Sequence, residues 1–493
     1  MDFLDPRKRR KHHIRLMVGY ALMAIAILLT ATVLVYWAYG YSFNTKTGIV
    51  ENGLLFIDSK PNGAEIYIND KDQNSTTSSR KIIVAGSYNL TLKKEGYLDW
   101  QRKLTLTEHS VLRIVYPFLF PKAPKAQAIK SYAISPSIIS LSPDRRWLLV
   151  LPQNGQTSPA FELFDTSKPT QPPQTVNLPS PALNGAGRPG SSLSVISWAS
   201  DNNRLLLRHS YDGGLEFILL NRSDPNSSVN LNRLFNISPS DARLFNRKAD
   251  QVYLHLADGT LYLGEVARAS LQALTRRAIT YKPLDDGLLL YITDQDATVG
   301  QVFARILDDG KTYQLTVLPA GARYIIEAAQ FQSHWYYVAA SDKSSRISIY
   351  KDPLTSVKDP ARGKAHPFIA LINSNAETVS FSDNSQFIGA QIGNRFAVFD
   401  IENQTRFQFN LEAAGQKPLK WMDGHRLIGN IAGNVFVMDF DGQNQHTLVP
   451  TASDDIFFDR DYIRLFNLVT AADGKLTVLQ MTDLRAGADL PKQ

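Results

Sequence analysis

A unit of roughly 37 to 57 residues recurs between residues 131 and 487, and this repetition limits the folds open to the chain more than any other feature. Each copy reads strand, polar turn, strand, glycine-containing turn, strand, and closes on Asp or Asn. The clearest copies are residues 139–165, 195–221, 379–400 and 419–439, and weaker copies begin near Arg243, Pro283, Glu327 and Asp454. A period of this length is typical of propellers and solenoids.

The middle strands of the unit are apolar throughout, as in residues 147–151 and 204–208. A strand without alternation is expected where neighbouring sheets cover both of its faces. The turns carry residues that tight turns favour, such as Asp144-Arg145 and Asp423-Gly424. We therefore predict a mainly β protein in which residues 131–487 form a seven- or eight-bladed β-propeller. The eight starts favour eight blades.

Cysteine is absent from the 493 residues. This excludes disulfides, thiolate metal sites and cysteine nucleophiles. The cores of large β domains must supply the stability instead.

Residues 16–41 contain no charged side chain, and about 20 apolar residues suffice for a helix to cross the hydrocarbon of a membrane. A basic cluster precedes this run, and basic flanks are typical of the cytoplasmic side. We predict a cytoplasmic tail at 1–15, a single transmembrane helix at 16–41 and extracytoplasmic C-terminal domains, with the protein in the cell membrane. Aromatic side chains mark the outer interface: Tyr36, Trp37, Tyr39 and Tyr41. The competing interpretation, a cleaved signal peptide, normally has a shorter apolar run and small residues at its end.

After a predicted linker at 42–51, short alternating runs are separated by Pro, Asn and Gly. This pattern predicts a compact β domain over residues 53–118. Residues 118–130 contain two prolines and three lysines, which predicts a stiff hinge to the propeller.

Three segments of this domain, residues 59–69, 85–92 and 94–97, resemble the PEGA domain, a small β-sandwich of envelope and surface proteins. Two departures are Asn62, where the family has an acidic residue, and residues 76–80, which replace a Gly-x-Thr-Pro loop. The resemblance implies a non-catalytic module for contacts or spacing, with no functional residues to carry over.

The sequence from Ser142 to Trp147 resembles the Ser-Pro-Asp-Gly motif of TolB-type propellers. Residues 382–384 and 199–202 resemble degenerate copies. The resemblance supports the propeller and implies no ligand.

The net charge of +7 is concentrated in the first fifteen residues, which carry +4. Elsewhere Lys and Arg are scattered, whereas nucleic-acid binders carry a dense basic stripe. We expect no nucleic-acid partner.

We predict no catalytic, cofactor-binding or metal-binding residues. The nine histidines are dispersed, and neither HExxH nor the Gly-x-Ser-x-Gly elbow occurs. Residues 185–190 match GxGxxG by letter, but the loop contains Pro189 and precedes a strand, so we predict an inter-blade loop. Four acidic loop residues are expected to be solvated: Asp294, Asp296, Asp454 and Asp455.

The sequence leaves three functions open. The favoured one is a membrane-anchored binding or scaffolding protein, not an enzyme, whose propeller presents a surface to an envelope protein or glycan. The alternative is a lyase- or glycosidase-like enzyme with carboxylates about 5–10 Å apart in the propeller channel. The third is a sensor that signals through a helix-mediated dimer.

Overall fold

The computed structural model describes residues 6–38, 41–44, 48–153, 159–284, 287–359, 363–412, 417–472 and 474–490. The chain forms two compact units. The first comprises Met1–Lys122 with Ala486–Asp489, and the second comprises Ala123–Arg485 with Leu490–Gln493.

The first element is helix α1, Pro6–Ala38. Within it, His12–Tyr36 is long and apolar enough to cross a membrane, and no part of that stretch is buried in protein. The helix begins ten residues before the predicted span because Pro6 suits a first helical position and the Lys and Arg residues after it are good helix formers. It ends at Ala38, and Tyr41 belongs to a strand instead of the helix.

The small β domain is a sandwich of two four-stranded sheets. The first sheet contains β1 (Tyr41–Asn44), β2 (Gly48–Ile57), β5 (Ser79–Val84) and β8 (Val111–Ile114), and the second contains β3 (Glu65–Ile68), β4 (Lys71–Thr76), β6 (Gly86–Lys93) and β7 (Trp100–Leu106). The predicted linker at 42–51 is therefore largely strand, because β1 pairs with the beginning of β2.

The core of the sandwich lies between the two sheets and includes Leu55, Ile66, Leu90, Tyr97 and Trp100. Tyr97 is fully buried, as the bend at Gly96 (φ +81°) permits. Its hydroxyl accepts from the Ala486 backbone N–H (2.8 Å) and donates to Asp489 Oδ2 (2.9 Å). A segment far along the chain thus completes this unit.

The second unit consists, among its described residues, of eight four-stranded antiparallel sheets. The first four, numbered in chain order, are β10 (Ile138–Leu141), β11 (Trp147–Leu151), β12 (Ala160–Asp165), β13 (Gln174–Asn177); β14 (Ser192–Trp198), β15 (Arg204–Tyr211), β16 (Gly214–Asn221), β17 (Val229–Asn230); β18 (Asp241–Phe245), β19 (Lys248–His255), β20 (Leu261–Glu265), β21 (Ser270–Thr275); and β22 (Ala278–Pro283), β23 (Leu289–Thr293), β24 (Gln301–Asp308), β25 (Lys311–Pro319).

The other four are β26 (Tyr324–Phe331), β27 (His334–Ser341), β28 (Ile347–Lys351), β29 (Ile369–Ile372); β30 (Thr378–Phe381), β31 (Phe387–Ile392), β32 (Arg395–Asp400), β33 (Thr405–Asn410); β34 (Lys420–Trp421), β35 (Arg426–Ile431), β36 (Asn434–Asp439), β37 (His446–Pro450); and β38 (Phe457–Phe458), β39 (Arg464–Thr470), β40 (Thr477–Asp483), β9 (Lys125–Tyr132). Short helices α2 (Leu231–Phe235) and α3 (Pro353–Val357) lie between strands.

The sheets are arranged as a propeller. First strands of successive sheets contact one another, for example β10 with β14 and β14 with β18, so the first strands line the central axis. The apolar clusters each join two neighbouring sheets, and one of them joins the eighth sheet to the first through Phe466, Leu479, Leu148 and Val150. The ring is therefore closed.

The predicted fold class is confirmed: a mainly β chain with one apolar N-terminal helix, a small β-sandwich and a propeller. Six of the eight repeat starts lie within the first strand of a sheet, and those at residues 419 and 454 lie just before one. The strands extend from Lys125 to Asp483 rather than from 131 to 487. The predicted hinge at 118–130 contributes most of β9, because that strand pairs antiparallel with β40.

Ring closure predicts where the propeller is most sensitive to mutation. Leu479 of β40 is fully buried between the eighth and first sheets, so Leu479→Ala should destabilise the propeller by about 2–5 kcal/mol. Val299 is fully exposed, so Val299→Ala should change the stability by less than about 0.5 kcal/mol. Thermal unfolding of the full-length protein in detergent, followed by near-ultraviolet circular dichroism, measures both. Equal melting temperatures for the two variants would contradict a closed ring.

Candidate functional site

The turn between the first and second strands of the first sheet has a defined hydrogen-bond pattern. Ser142 Oγ accepts from the Trp147 N–H (2.9 Å) and donates to Asp144 Oδ1 (2.5 Å). Arg145 has a left-handed backbone (φ 60°). The turn therefore holds the Arg145 backbone in one orientation at the end of β10.

The degenerate copy predicted at residues 382–384 has the same pattern. Ser382 Oγ accepts from the Phe387 N–H (3.0 Å) and donates to Asn384 Oδ1 (2.7 Å). This places Asp383 at the corresponding turn of the sixth sheet.

Sequence reasoning missed a related turn in the eighth sheet. Asp459 Oδ1 accepts from the N–H groups of Ile463 (2.7 Å) and Arg464 (3.0 Å), as Ser142 Oγ does for Trp147. Tyr462 lies here with a left-handed backbone (φ 56°). The motif was hidden because Asp replaces Ser, although a carboxylate accepts the same bonds.

These turns meet at one end of the propeller channel. Arg145 Nη2 lies 2.8 Å from Asp383 Oδ2, and the guanidinium carbon of Arg145 lies 4.3 Å from the centre of the Tyr462 ring. The first and sixth sheets are separated in the ring by the seventh and eighth. An ion pair between the turns that follow their innermost strands therefore crosses the mouth of the channel.

The seventh sheet adds a second, more deeply buried ion pair. Asp423 Oδ1 accepts from the His425 and Arg426 N–H groups, and Asp423 Oδ2 lies 2.9 Å from Arg426 Nε. We call Arg145, Asp383, Asp423, Arg426 and Tyr462 the mouth cluster.

Burial in the mouth cluster favours the neutral form of the Tyr462 phenol and opposes ionisation of the Asp383 carboxyl group. Burial, together with the charge of Asp423, raises the pKa of Asp383, although Arg145 opposes the shift. Burial raises the pKa of Tyr462 to about 12, and its hydroxyl donates to the Met422 carbonyl (3.2 Å). Both side chains are thus held by neighbours from other sheets.

Arg145 also retains binding capacity. Its Nη1 atom is buried and, within the described part of the chain, has no hydrogen-bond partner. A cavity of about 130 Å³ adjoins it and is lined by Trp421, Phe457 and Phe458 among others. A guanidinium N–H beside an aromatic surface can donate a hydrogen bond to a carboxylate, carbonyl or hydroxyl oxygen.

Two acidic residues on the first strands of other sheets lie beside basic partners. Glu327 of β26 pairs with Lys282 of β22, and burial still raises the pKa of Glu327. Asp241 of β18 lies 3.0 Å from Arg243. The channel-lining strands thus carry acids that are already neutralised by an adjacent cation.

The four acidic loop residues singled out from the sequence lie in two separate places. Asp294 pairs with Arg277 (2.6 Å) and Asp296 approaches Arg305 (3.9 Å), both after β23. Asp454 pairs with Lys417 (2.9 Å), and it lies with Asp455 just before β38. Among the residues described, no group of three or more His, Asp or Glu side chains could hold a metal ion.

The glycine-rich segment 185–190 lies between β13 and β14, so it is an inter-blade loop followed by a strand. Glu216 of β16 accepts from the N–H groups of Asn184 (3.0 Å) and Gly185 (3.2 Å). At the other end of the loop, Ser191 Oγ lies 2.8 Å from His209 Nε2. The loop is therefore held at both ends.

His209 and Glu216 form one buried pair, each 1% exposed, with His209 Nδ1 2.8 Å from Glu216 Oε1. The two residues face each other across β15 and β16. Sequence reasoning missed them, although their positions at equal distances on either side of the Asp212-Gly213 turn were a usable signal. Burial opposes ionisation of Glu216, but hydrogen bonds from His209, Asn184, Asn230 and Gly185 outweigh it and lower its pKa.

Comparison with known proteins supports the small domain most directly. Residues 52–118 match the PEGA domain, which confirms the resemblance seen in the sequence. A comparison with curated proteins gives no match.

Three solved structures similar to the chain are the C-terminal WD40 domain of Sif2, an oligogalacturonate lyase in complex with manganese, and an uncharacterized protein from Listeria monocytogenes EGD-e. The first is 12% identical, with 74% of this chain and 99% of that chain covered and a TM-score of 0.46. The second is 10% identical, with 74% and 98% covered and a TM-score of 0.38. The third is 12% identical, with 66% and 91% covered and a TM-score of 0.37. Each of these TM-scores is below 0.5, and the assignment of a propeller rests instead on the eight four-stranded sheets among the described residues.

The lowered pKa of Glu216 makes its contribution to stability pH-dependent. The pKa of the Glu216 carboxyl group is lower in the folded state than in the unfolded state. Such a group stabilises the folded protein at pH values above its unfolded-state pKa, and this stabilisation is lost as the pH falls through its folded-state pKa. Glu216→Gln should therefore cost about 1–3 kcal/mol at pH 7, and the difference from the wild type should narrow at acid pH. Melting temperatures across this range measure it, with Glu265→Gln as the control because Glu265, among the described residues, pairs only with the exposed Arg268. A difference independent of pH would show that folding does not lower the pKa of Glu216.

Proposed function

We propose that this chain is a membrane-anchored, extracytoplasmic binding or scaffolding protein of the cell envelope. Its propeller presents the mouth cluster to a protein or glycan partner. The proposal rests on one observation about Arg145. Its side chain pairs with Asp383 across the channel mouth, and its buried Nη1 atom has no hydrogen-bond partner among the described residues. Nucleic acid is not among the proposed partners.

Helix α1 supports the anchor. Its apolar stretch His12–Tyr36 is free of protein contacts that would bury it, as expected of a helix surrounded by lipid. The basic residues at its N-terminal end favour a cytoplasmic N-terminus, which directs both β units to the other side.

The mouth cluster supports recognition of a polar group. Arg145 offers a planar donor array, Tyr462 an aromatic face and Asp383 a carboxylate, all held by turns of a rigid ring. Peptides and sugars present acceptors, hydroxyls and apolar edges to such a combination. A binding site of this kind needs rigid support, which the closed propeller provides.

Two arrangements bear on the alternative that the chain is an enzyme. The channel acids Glu327 and Asp241 are each neutralised by a basic neighbour, whereas glycosidase chemistry needs a pair of carboxylates free to act on the substrate. Ser191, His209 and Glu216 are hydrogen-bonded in the order used to activate a serine nucleophile.

The surroundings of Ser191 oppose that chemistry. The carboxylate of Asp212 occupies the space where a side chain at Gly190 would stand. This carboxylate therefore lies next to Gly190, the residue before Ser191, and its negative charge would disfavour a negatively charged tetrahedral intermediate formed nearby. We therefore propose that the Ser191–His209–Glu216 series anchors the loop and that the protein is not an enzyme.

The binding proposal is tested by cross-linking. Full-length protein in nanodiscs is exposed to an envelope extract of its host, and the adducts are identified by mass spectrometry. A saturable partner should be recovered with the wild type and lost by about tenfold or more with Arg145→Gln, because a buried charged contact costs at least 1.4 kcal/mol. Arg268→Gln, which changes an arginine that is 78% exposed, should retain the partner. Equal recovery by both variants would place the partner elsewhere, and no partner with the wild type would contradict the binding role.

Reaction with a fluorophosphonate probe tests the proposed absence of serine-hydrolase activity. The wild type and Ser191→Ala should both remain unlabelled, because the Asp212 carboxylate beside Gly190 disfavours an oxyanion at this place. Labelling of the wild type that disappears in Ser191→Ala would establish an activated nucleophile and favour the enzyme alternative.

A further inference from the structure

The first sheet of the small domain packs against the second sheet through one side, and its other side points away from the sandwich core. Leu55 and Ile57 of β2 are buried in the sandwich core. Because side chains alternate along a strand, Leu54 and Phe56 of the same strand point outward.

Cross-strand pairing aligns apolar residues on that side. Leu54 lies opposite Ile82 of β5 and opposite Val111 of β8. Ile82 is 69% exposed and Val111 is 54% exposed. Three apolar side chains therefore form one row across three strands, in which Leu54 is half-buried between two exposed neighbours.

Two arginines form the adjacent row. Phe56 lies opposite Arg80 on one side and Arg113 on the other, and the guanidinium carbon of Arg113 lies 4.7 Å from the Phe56 ring centre. The acidic group next along, Asp58, already accepts from the Ser59 N–H and the Ser78 hydroxyl. We call Leu54, Phe56, Arg80, Ile82, Val111 and Arg113 the outer face.

Chain continuity brings this sheet to the end of the anchor helix. Helix α1 ends at Ala38, and Tyr41, three residues later, pairs with Glu51 of β2. Strand β2 runs antiparallel to β1. Residues 52–57 therefore extend beyond the Tyr41–Glu51 pair, in the direction of the end of helix α1. Six residues of strand cover about 20 Å.

This length constrains how the sheet meets the membrane. Open sheet edges and polar side chains are not tolerated in the hydrocarbon, so β2 cannot extend into it beside the helix. The strand must instead run along the membrane surface. The inward side of the sheet is covered by the second sheet of the sandwich, which leaves the outer face to meet the surface.

We propose that the outer face lies on the headgroup layer of the membrane that α1 crosses, with Arg80 and Arg113 on anionic lipid phosphates and the row Ile82–Leu54–Val111 at the interface. Guanidinium groups pair bidentately with phosphate, and apolar side chains flanked by cations are suited to the headgroup region. The inference rests on the proposed membrane anchoring and adds a specific lipid-binding surface to it.

The absence of cysteine allows a direct test, because a single introduced cysteine labels uniquely. Full-length variants with Ile82→Cys or Val111→Cys carry an environment-sensitive fluorophore in nanodiscs of phosphatidylcholine and phosphatidylglycerol. Quenching by a headgroup spin-labelled lipid is measured. Lys103→Cys, on the exposed outward side of the second sheet, is the matched control, and Leu28→Cys reports the insertion of α1 through quenching by an acyl-chain spin label.

Labels at positions 82 and 111 should be quenched several-fold more strongly than the label at 103. Adding Arg80→Glu and Arg113→Glu should abolish that difference, while adding Glu at an exposed lysine of the second sheet, Lys93→Glu, should preserve it. Circular dichroism melting confirms that each variant is folded.

Three results would overturn the inference, and they are distinguishable. Absence of quenching at position 28 would contradict the anchor itself and, with it, the proposed function. A second result would be quenching at position 28 together with equal quenching at positions 82, 111 and 103. It would agree with the membrane anchor and contradict the proposed contact of the outer face with lipid. Labels at 82 and 111 that are shielded from water yet not quenched by lipid would assign the outer face to a protein, either a second copy or a partner.

Discussion

The structure depends on one constraint: the middle strands of each propeller sheet are apolar on both faces and need a neighbouring sheet on each side. Leu148, Val150 and Leu149 of β11 illustrate it, since the first two pack against the eighth sheet and the third against the second sheet. An open row of sheets would leave two apolar faces in water. Strand β9 removes them by completing the last sheet from the beginning of the propeller.

The same closure creates the candidate site. Arg145 and Asp383 are 238 residues apart in sequence, and only the ring brings their turns within ion-pairing distance. Both turns are held by the same serine hydrogen bonds. A motif that stabilises the turn in each sheet therefore also positions the Arg145 and Asp383 side chains where the sheets meet. The mouth cluster is therefore a consequence of the fold, and the proposed binding rests on its guanidinium nitrogen, which has no hydrogen-bond partner among the described residues.

Polar groups inside the propeller follow a different rule from those at its mouth. Glu216 and His209 are almost completely buried, yet each has hydrogen-bond partners that compensate its removal from water. They hold both ends of the glycine-rich loop, where the Tyr211 ring leaves no room for a side chain at Gly185 or Gly214. Gly185 of the loop and Gly214 of β16 thus serve close packing against an aromatic ring.

The sequence alone determined the apolar helix, the PEGA domain and the repeating sheets, because hydrophobic periodicity and turn residues are local properties that survive without tertiary information. It also located all eight repeat starts. It did not reveal β9, which reads as a hinge until β40 lies beside it, or the turn at Asp459, where a carboxylate replaces a hydroxyl. The mouth cluster, the His209–Glu216 pair and the outer face of the small domain were decided only by the tertiary structure. Each depends on strand register or ring closure, which join residues that are remote in the sequence or lie on different strands.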